Sequence, residues 1–423
     1  MKTYSTFLAE ANIKKLKHLV HIEEAILHLG FEGARESIEI LRSLRDTLKG
    51  SATATNNTSV KYDGAPAVIF GKDPADGQFF VGTKGVFAKT PKLVKSKEDL
   101  DRFGYQGELR TKLEIALEHL PKIGVEGVVQ GDMMFTQSDL QTEKIQDQSY
   151  LTFTPNTITY AVPSDSDLAK RIQRAKIGIV LHTSYVGRDS LENLTATPGQ
   201  IDISDFRSTP DVWYDDPYVK DVSGTVTMTA KETMEVTRYL SGAGKVFQSL
   251  QRREVEALFD AFDELPKSAA GAKIDTFLNS LVRNDRLPEP GKGQALAREY
   301  RAYIESYWKD RVIGKLKTDK ARQQKREFFE NWIERINFTT LAKVIDFMAY
   351  VSKAKEIIIA KMNQGIDSMT TFVFTGDGYR VTTGEGFVVS DKLSGNTWKL
   401  VDRLEFSKLN FQNSSAKFGA RSK

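Results

Sequence analysis

The sequence predicts an α+β fold in which antiparallel-rich sheets flanked by helices are divided by a large inserted helical block. Three observations carry this. Short runs rich in β-branched and aromatic residues begin near Val60, helical periodicity takes over from about Lys231 for well over a hundred residues, and strand character returns after Thr371. A β-rich region interrupted and then resumed predicts one domain whose halves lie apart in the chain. With 423 residues, 40% of them hydrophobic, the chain can bury a large core spread over two or three domains.

In chain order, apolar residues at helical spacing (Ile13, Leu16, Leu19, Val20, then Ile38, Leu41, Leu44, Leu48) predict helix from about Asn12 to Lys49, broken at Gly30 and Gly33. The Ser/Thr/Asn-rich stretch Gly50 to Ser59 reads as a loop. Strands are expected at Ala67–Phe70, Gln78–Val81, Gly127–Phe135, Thr157–Val162 and Ile177–Thr183, with helices at about Lys95–Leu120 and Asp165–Ala175. An irregular Pro/Asp/aromatic segment, Asp202 to Tyr218, leads into helices at Lys231–Phe259, Lys273–Val282, Lys292–Leu316, Asp319–Ile336 and Thr339–Asn363. Strands then resume at Thr371–Phe374, Tyr379–Thr382, Gly386–Ser390 and Thr397–Val401. The expected division is N-terminal helices over 11–50, a first domain part over 51–205, the helical insertion over 206–366, a second domain part over 367–405 and a basic tail over 406–423.

Composition removes whole classes of chemistry. With no cysteine there is no disulfide, thiolate metal site or thiol nucleophile, so catalysis falls to lysine, serine, tyrosine or carboxylates. The five histidines form no HExxH-like motif, and His18 and His21, three apart on a helix, are expected at the surface. No apolar run approaches the length of a bilayer span, so no membrane partner is expected. A net charge of +4 permits nucleic-acid binding without demanding it.

The residues that carry chemistry fall in a particular order. Lys61-Tyr62-Asp63-Gly64 sets a lysine at a strand end before a tight turn, which alone is equally a surface hairpin. Thr83-Lys84-Gly85 on the next strand pair supplies a second cation. Gly131-Asp132 ends an apolar run with a carboxylate, Tyr160 lies in a β run, and far downstream Gly384-Glu385-Gly386-Phe387-Val388-Val389 precedes Trp398-Lys399-Leu400. Strand alternation puts Glu385, Phe387 and Val389 on one face and Val388 on the other. Each residue also has a bland role: Lys84 and Lys399 as lysines guarding sheet edges, Tyr160 as a core aromatic.

The ordered set resembles the motifs shared by the covalent nucleotidyltransferases, the superfamily of DNA ligases, RNA ligases and capping enzymes. KYDG is similar to motif I, TKG to the following basic motif, GDMMF to motif III, ITYAV to motif IIIa, EGFVV to motif IV and WKL to motif V. The resemblance implies a ligase-type domain that takes ATP with Mg2+ or Mn2+, Lys61 as the nucleophile, and nucleic-acid ends, DNA or RNA, as partners. It implies that Lys84 and Lys399 neutralise phosphate charge and that Glu385, with Asp132, holds the metal. Asp132 would also take a ribose hydroxyl, Tyr160 would stack on the base, and Asp63 with Gly64 would fix the turn beneath the nucleotide. A free lysine titrates near 10.4, so attack on phosphorus at neutral pH calls for cations around it that favour the neutral amine. Glu126-Gly127-Val128-Val129 also resembles motif IV, but it precedes GDMMF and lacks a lysine-bearing strand at a suitable distance after it.

Several features depart from the family pattern. Ala65-Pro66-Ala67 stands where ligases and capping enzymes usually have an arginine, Lys399 is single, and about two dozen residues follow it, too few for a C-terminal OB-fold. The pattern is therefore nearer to RNA ligases, with an insertion that matches no ligase arrangement. That insertion holds a basic stretch, Lys309 through Arg326, beside Trp308, Phe328 and Phe329, which reads either as a track for a phosphate backbone or as a solvated helix face.

The N-terminus, MKTYSTFLAEA, is similar to the capsid-targeting peptides of internal head proteins in T-even-type tailed phages. It implies a propeptide over 1–10, cut by a phage prohead protease between Glu10 and Ala11. The resulting location is the capsid interior of the virion and then the infected host cytoplasm. Two other functions fit the sequence: nucleotide transfer to a cap or a protein, and a non-catalytic DNA-binding head protein on a degenerate transferase fold.

Overall fold

The computed structural model describes residues 19–50, 56–145, 147–187, 190–198, 201–215, 227–364, 370–374, 379–382, 386–391 and 396–404. The chain is mixed α+β and forms two compact units, each assembled from separated stretches. The sheet unit draws on Asn56–Lys220 and Gly365–Lys399; the helical unit draws on Val20–Thr55, Asp221–Gln364 and Leu400–Lys423. Among the described residues no helix is long and apolar enough to cross a membrane.

The sheet unit runs β1 (Asn56–Lys61), β2 (Ala67–Lys72), β3 (Phe79–Gly82), α1 (Lys97–Arg102), α2 (Gly107–His119) and β4 (Val128–Thr136). It continues with β5 (Gln141–Ile145), β6 (Gln148–Phe153), β7 (Thr159–Pro163), α3 (Asp167–Arg174), β8 (Ile177–Val186), β9 (Thr195–Pro198) and β10 (Val212–Asp215). After the helices that end at Asn363 come β11 (Thr370–Phe374), β12 (Tyr379–Thr382), β13 (Gly386–Asp391) and β14 (Thr397–Val401), of which the first three residues belong to this unit.

The largest sheet has the order β9-β8-β4-β2-β3, with β10 parallel to the start of β8. A second has the order β12-β11-β7-β6-β5, and in a third β13 lies between β1 and β14. Two of these sheets join chain from both sides of the insertion: β11 pairs with β7 through Thr371 opposite Tyr160, and β13 pairs with β1 through Gly386 opposite Lys61.

Alternation along the strands sets the two faces of the large sheet. Val68, Phe70, Val129, Met133, Ile179 and Leu181 are buried beneath Leu113, Ala116 and Leu120, which recur at helical spacing along and just past α2. The opposite face buries Ile69, Phe80, Val128 and Tyr185 at one end, and the Asp132 row lies on this face toward the other. Each fully buried aliphatic or aromatic side chain contributes about 1.5–3 kcal/mol, so this double-faced core holds the site strands in register.

Four expectations are corrected. Asn56–Ser59 are strand, not loop, because each pairs with a residue of β13 and the partner outweighs their weak β preference. Within the segment expected to be irregular, Val212–Asp215 is a strand that buries Val212 and Trp213 against β8. The expected helix Lys95–Leu120 is two helices and a short 3-10 turn, and the β5–β6 hairpin was not foreseen because both strands open on exposed polar residues (Gln141 and Thr142, Gln148 and Ser149), which leave a faint hydrophobic alternation. His21 is buried, not on the surface; His18 lies outside the described residues.

In the helical unit, the helix Phe338–Asn363 is apolar on most of its circumference and packs against Ala25–Leu48, Ala230–Ser249, Arg252–Asp263 and Gly293–Tyr307. It starts where Asn337 accepts hydrogen bonds from the backbone of Thr339 and Thr340. Of the two expected helix breaks, Gly30 departs from helical backbone, whereas Gly33 is a buried helical residue with no space for a Cβ beside the Ala25 carbonyl.

Candidate functional site

Lys61 is the last residue of β1, directly opposite Gly386, the first residue of β13. Directly paired residues share a face, so Lys61 lies on the face of Gly386 and Val388, opposite the fully buried Phe387 and Val389. Glycine at 386 leaves the space beside the lysine free of a cross-strand side chain. Glu385 immediately precedes this pair in sequence and lies outside the described residues. Lys399, half-buried on β14, occupies the same sheet, with β13 between its strand and that of Lys61.

The turn after Lys61 is held by Asp63, which is 6% exposed. Its carboxylate accepts hydrogen bonds from Asn156 Nδ2 at 2.8 Å, the Thr157 backbone at 2.7 Å and the Ile158 backbone at 3.0 Å. Its own backbone N–H donates to the Tyr160 hydroxyl at 2.7 Å. One side chain thus ties the lysine-bearing turn to the loop before β7. The turn then lies over β4: Ala65 N–H donates to the Met133 carbonyl at 2.9 Å and Met133 N–H to the Pro66 carbonyl at 3.0 Å.

Gly64 is required by close approach. A Cβ at this position would sit 2.5 Å from Asp132 Cβ and 3.1 Å from both the Met133 carbonyl oxygen and Met134 Sδ. Gly64→Val is therefore expected to cost about 1–3 kcal/mol through overpacking and to lift the turn off Asp132. Thermal unfolding should show the modest loss, and a variant with unchanged unfolding would mean that the turn is not clamped there.

Asp132 is opposite Ala67 on β2 and Val180 on β8, and its side chain is 25% exposed. A register shift in β8 after Gln130 brings His182 alongside, with Nε2 3.6 Å from Asp132 Oδ1 and Nδ1 2.8 Å from Thr183 Oγ1. Nothing in the sequence flagged His182, since a lone histidine in an apolar strand has no spacing signature. Lys84 is exposed and opens a 3-10 turn rather than lying on a strand; the chain reaches it after Gly82, which is opposite Ile69, two residues from Ala67.

Tyr160 departs from the base-stacking expectation. The ring is 2% exposed, stacked on Phe153 at 5.5 Å and tilted against Tyr62 at 5.8 Å, with its hydroxyl on the Asp63 backbone. It is a buried post under the turn, and a nucleotide base cannot reach its faces in this arrangement. The alternative motif residue Glu126 is also settled in place: it is exposed and paired with Lys72 at 2.6 Å, which holds its carboxyl below the ordinary range.

The described residues therefore bring together the Lys61 turn, Asp63, Gly64 and Asp132, and put the Lys399 strand in the Lys61 sheet. Among them no group of three or more His, Asp or Glu forms a metal cluster. The expected cleavage point at Glu10 and Ala11, and the tail cations Lys417, Arg421 and Lys423, lie outside the described residues. Among known families, residues 12–415 match one described as "Family of unknown function (DUF6267)". No curated protein and no solved structure matches the chain.

Proposed function

The chain belongs to the DUF6267 family, and we propose that it is a polynucleotide ligase-like nucleotidyltransferase whose Lys61 takes up AMP from ATP. The observation that carries this reading is the direct pairing of Lys61 with Gly386, on a sheet shared with Lys399, while the following turn is clamped over Asp132. Residues 325 positions apart in the chain thus lie directly opposite one another.

The first step is attack by the neutral Lys61 amine on the α-phosphorus of ATP. An N–P bond forms, the bond to the bridging oxygen breaks, pyrophosphate leaves, and the amine gives up a proton to solvent. A 5′-phosphate oxygen then displaces Lys61 to form a 5′–5′ pyrophosphate linkage, and a 3′-hydroxyl attacks that end, loses its proton and releases AMP. Lys84 and Lys399 supply positive charge toward the phosphates. Asp63 and Gly64 set where the Lys61 amine can reach.

A magnesium or manganese ion suits the donors on hand, because such ions use one or two carboxylates together with substrate phosphates. Asp132 offers a partly exposed carboxylate beside the turn, and Glu385 would be the second. When bound, the ion supplies charge neutralisation of the leaving pyrophosphate.

The reading is tested by incubation with labelled ATP or GTP and Mg2+, followed by denaturing electrophoresis. The expected result is a covalent adduct that Lys61→Ala abolishes, and nicked DNA and nicked RNA then define the acceptor.

A further inference from the structure

Positive charge is concentrated in residues 309–326 of the helical unit. This stretch holds eight Lys or Arg against two Asp, a net +6, whereas the whole chain carries only +4. Outside it the protein is net negative, so the positive charge is concentrated rather than spread.

The local fold holds this charge at the surface. Trp308 is fully buried, stacked on Phe328 and Trp332, and its indole N–H donates to the Lys325 carbonyl at 3.1 Å. Trp332, also fully buried, donates to the Ala261 carbonyl at 2.6 Å and so anchors the helix Asp319–Glu334 on the helix Arg252–Asp263. Lys309 and Arg311 project from the π-helical turn Trp308–Ile313, Lys315 and Lys317 from the connection that follows, and Lys320 and Arg326 from the next helix; all six are exposed. Arg322 is paired with Asp319 and Lys325 lies over the Phe328 ring, but none of the six exposed cations forms an ion pair among the described residues.

The type of partner follows from what accompanies the charge. Of the aromatics expected either to stack on bases or to form core, Trp308 is core and the half-buried Phe328 and Phe329 are stacked on it, so among the described residues no fully exposed ring stands on this surface as a platform for unstacked bases. None of the large exposed apolar side chains among the described residues (Leu29, Val186, Met234, Leu404) lies in this stretch, so it lacks the apolar face with which amphipathic segments enter a lipid surface. An array of exposed cations that form no ion pair among the described residues matches a regular phosphate lattice, and duplex DNA presents about one charge per 1.7 Å of axis.

We propose that residues 309–326 form a sequence-independent docking surface for the phosphate backbone of a nucleic-acid duplex. This surface is carried by the helical unit alone and does not depend on the chemistry assigned to Lys61. Each phosphate neutralised contributes about 0.9 to the slope of log affinity against log salt.

The test is fluorescence anisotropy with a labelled random-sequence DNA duplex, over a range of salt, without nucleotide or divalent metal. The comparison is between the full chain and the variant Lys315→Ala/Lys317→Ala/Lys320→Ala/Arg326→Ala, with thermal unfolding and circular dichroism confirming that the variant is folded. The expected result is a salt slope smaller by about 3–4 and affinity at least about tenfold weaker at low salt. An unchanged slope in the folded variant overturns the proposal, as does a wild-type chain that ignores duplex but binds vesicles of anionic phospholipid. The loss of duplex binding in the four-residue variant is expected whether or not a nucleotide adduct is ever found on Lys61.

Discussion

Asp63→Ala should destabilise the sheet unit by about 3–5 kcal/mol and remove adduct formation even though Lys61 is untouched. The carboxylate is buried and accepts three hydrogen bonds, two of them from the backbone of Thr157 and Ile158. Hydrogen bonds to charged groups contribute about 1.5–3 kcal/mol each, and each buried donor left unpaired costs about 1–3 kcal/mol. The loss should appear as a lower urea midpoint for the transition followed through buried Trp213. Asp63→Asn should recover part of it, since an amide keeps one acceptor oxygen while its NH2 group faces donors. An Asp63→Ala protein with wild-type stability and adduct yield would show that the turn is positioned by something else.

The second large effect lies in the helical unit. Lys355 is 1% exposed, and its ammonium donates to Glu23 at 2.6 Å and to the Val401 carbonyl at 2.9 Å. Glu23 is itself buried, so Lys355→Met leaves a buried carboxylate without its paired ammonium. Breaking a buried pair from one side costs about 3–5 kcal/mol. Replacing both partners removes the stranded charge, so Glu23→Met/Lys355→Met should regain most of the loss. Denaturation of the two single variants and the double variant gives the coupling directly, read through Trp308 and Trp332, which are buried in this unit. Additive losses would contradict the pairing.

The parts of this structure that could be read from sequence are those whose signals are local. Helical periodicity marks the insertion because an apolar stripe recurs within each helix, and the KYDG turn stands out because glycine and aspartate each have few uses there. Asp63 was legible as the residue fixing the turn, but its partners Asn156–Ile158 were not, since they lie more than ninety residues away in a loop without periodicity. Tyr160 shows the same limit from the other side. Its place in a β run was visible, but β4 pairs with β8 and not with β7, and the choice of neighbouring strand decides whether an aromatic faces a ligand or the core. His182 was missed because it reaches Asp132 through a register shift, a feature that no residue pattern announces.

The proposed chemistry rests on one side chain, Lys61, directly opposite Gly386. The most direct measurement is therefore peptide mapping by tandem mass spectrometry after incubation of the full chain with ATP and Mg2+. The expected result is one AMP, joined through nitrogen to Lys61 and released by pyrophosphate. A nucleotide mapped to any other residue, or no nucleotide taken up from ATP or GTP, would contradict it.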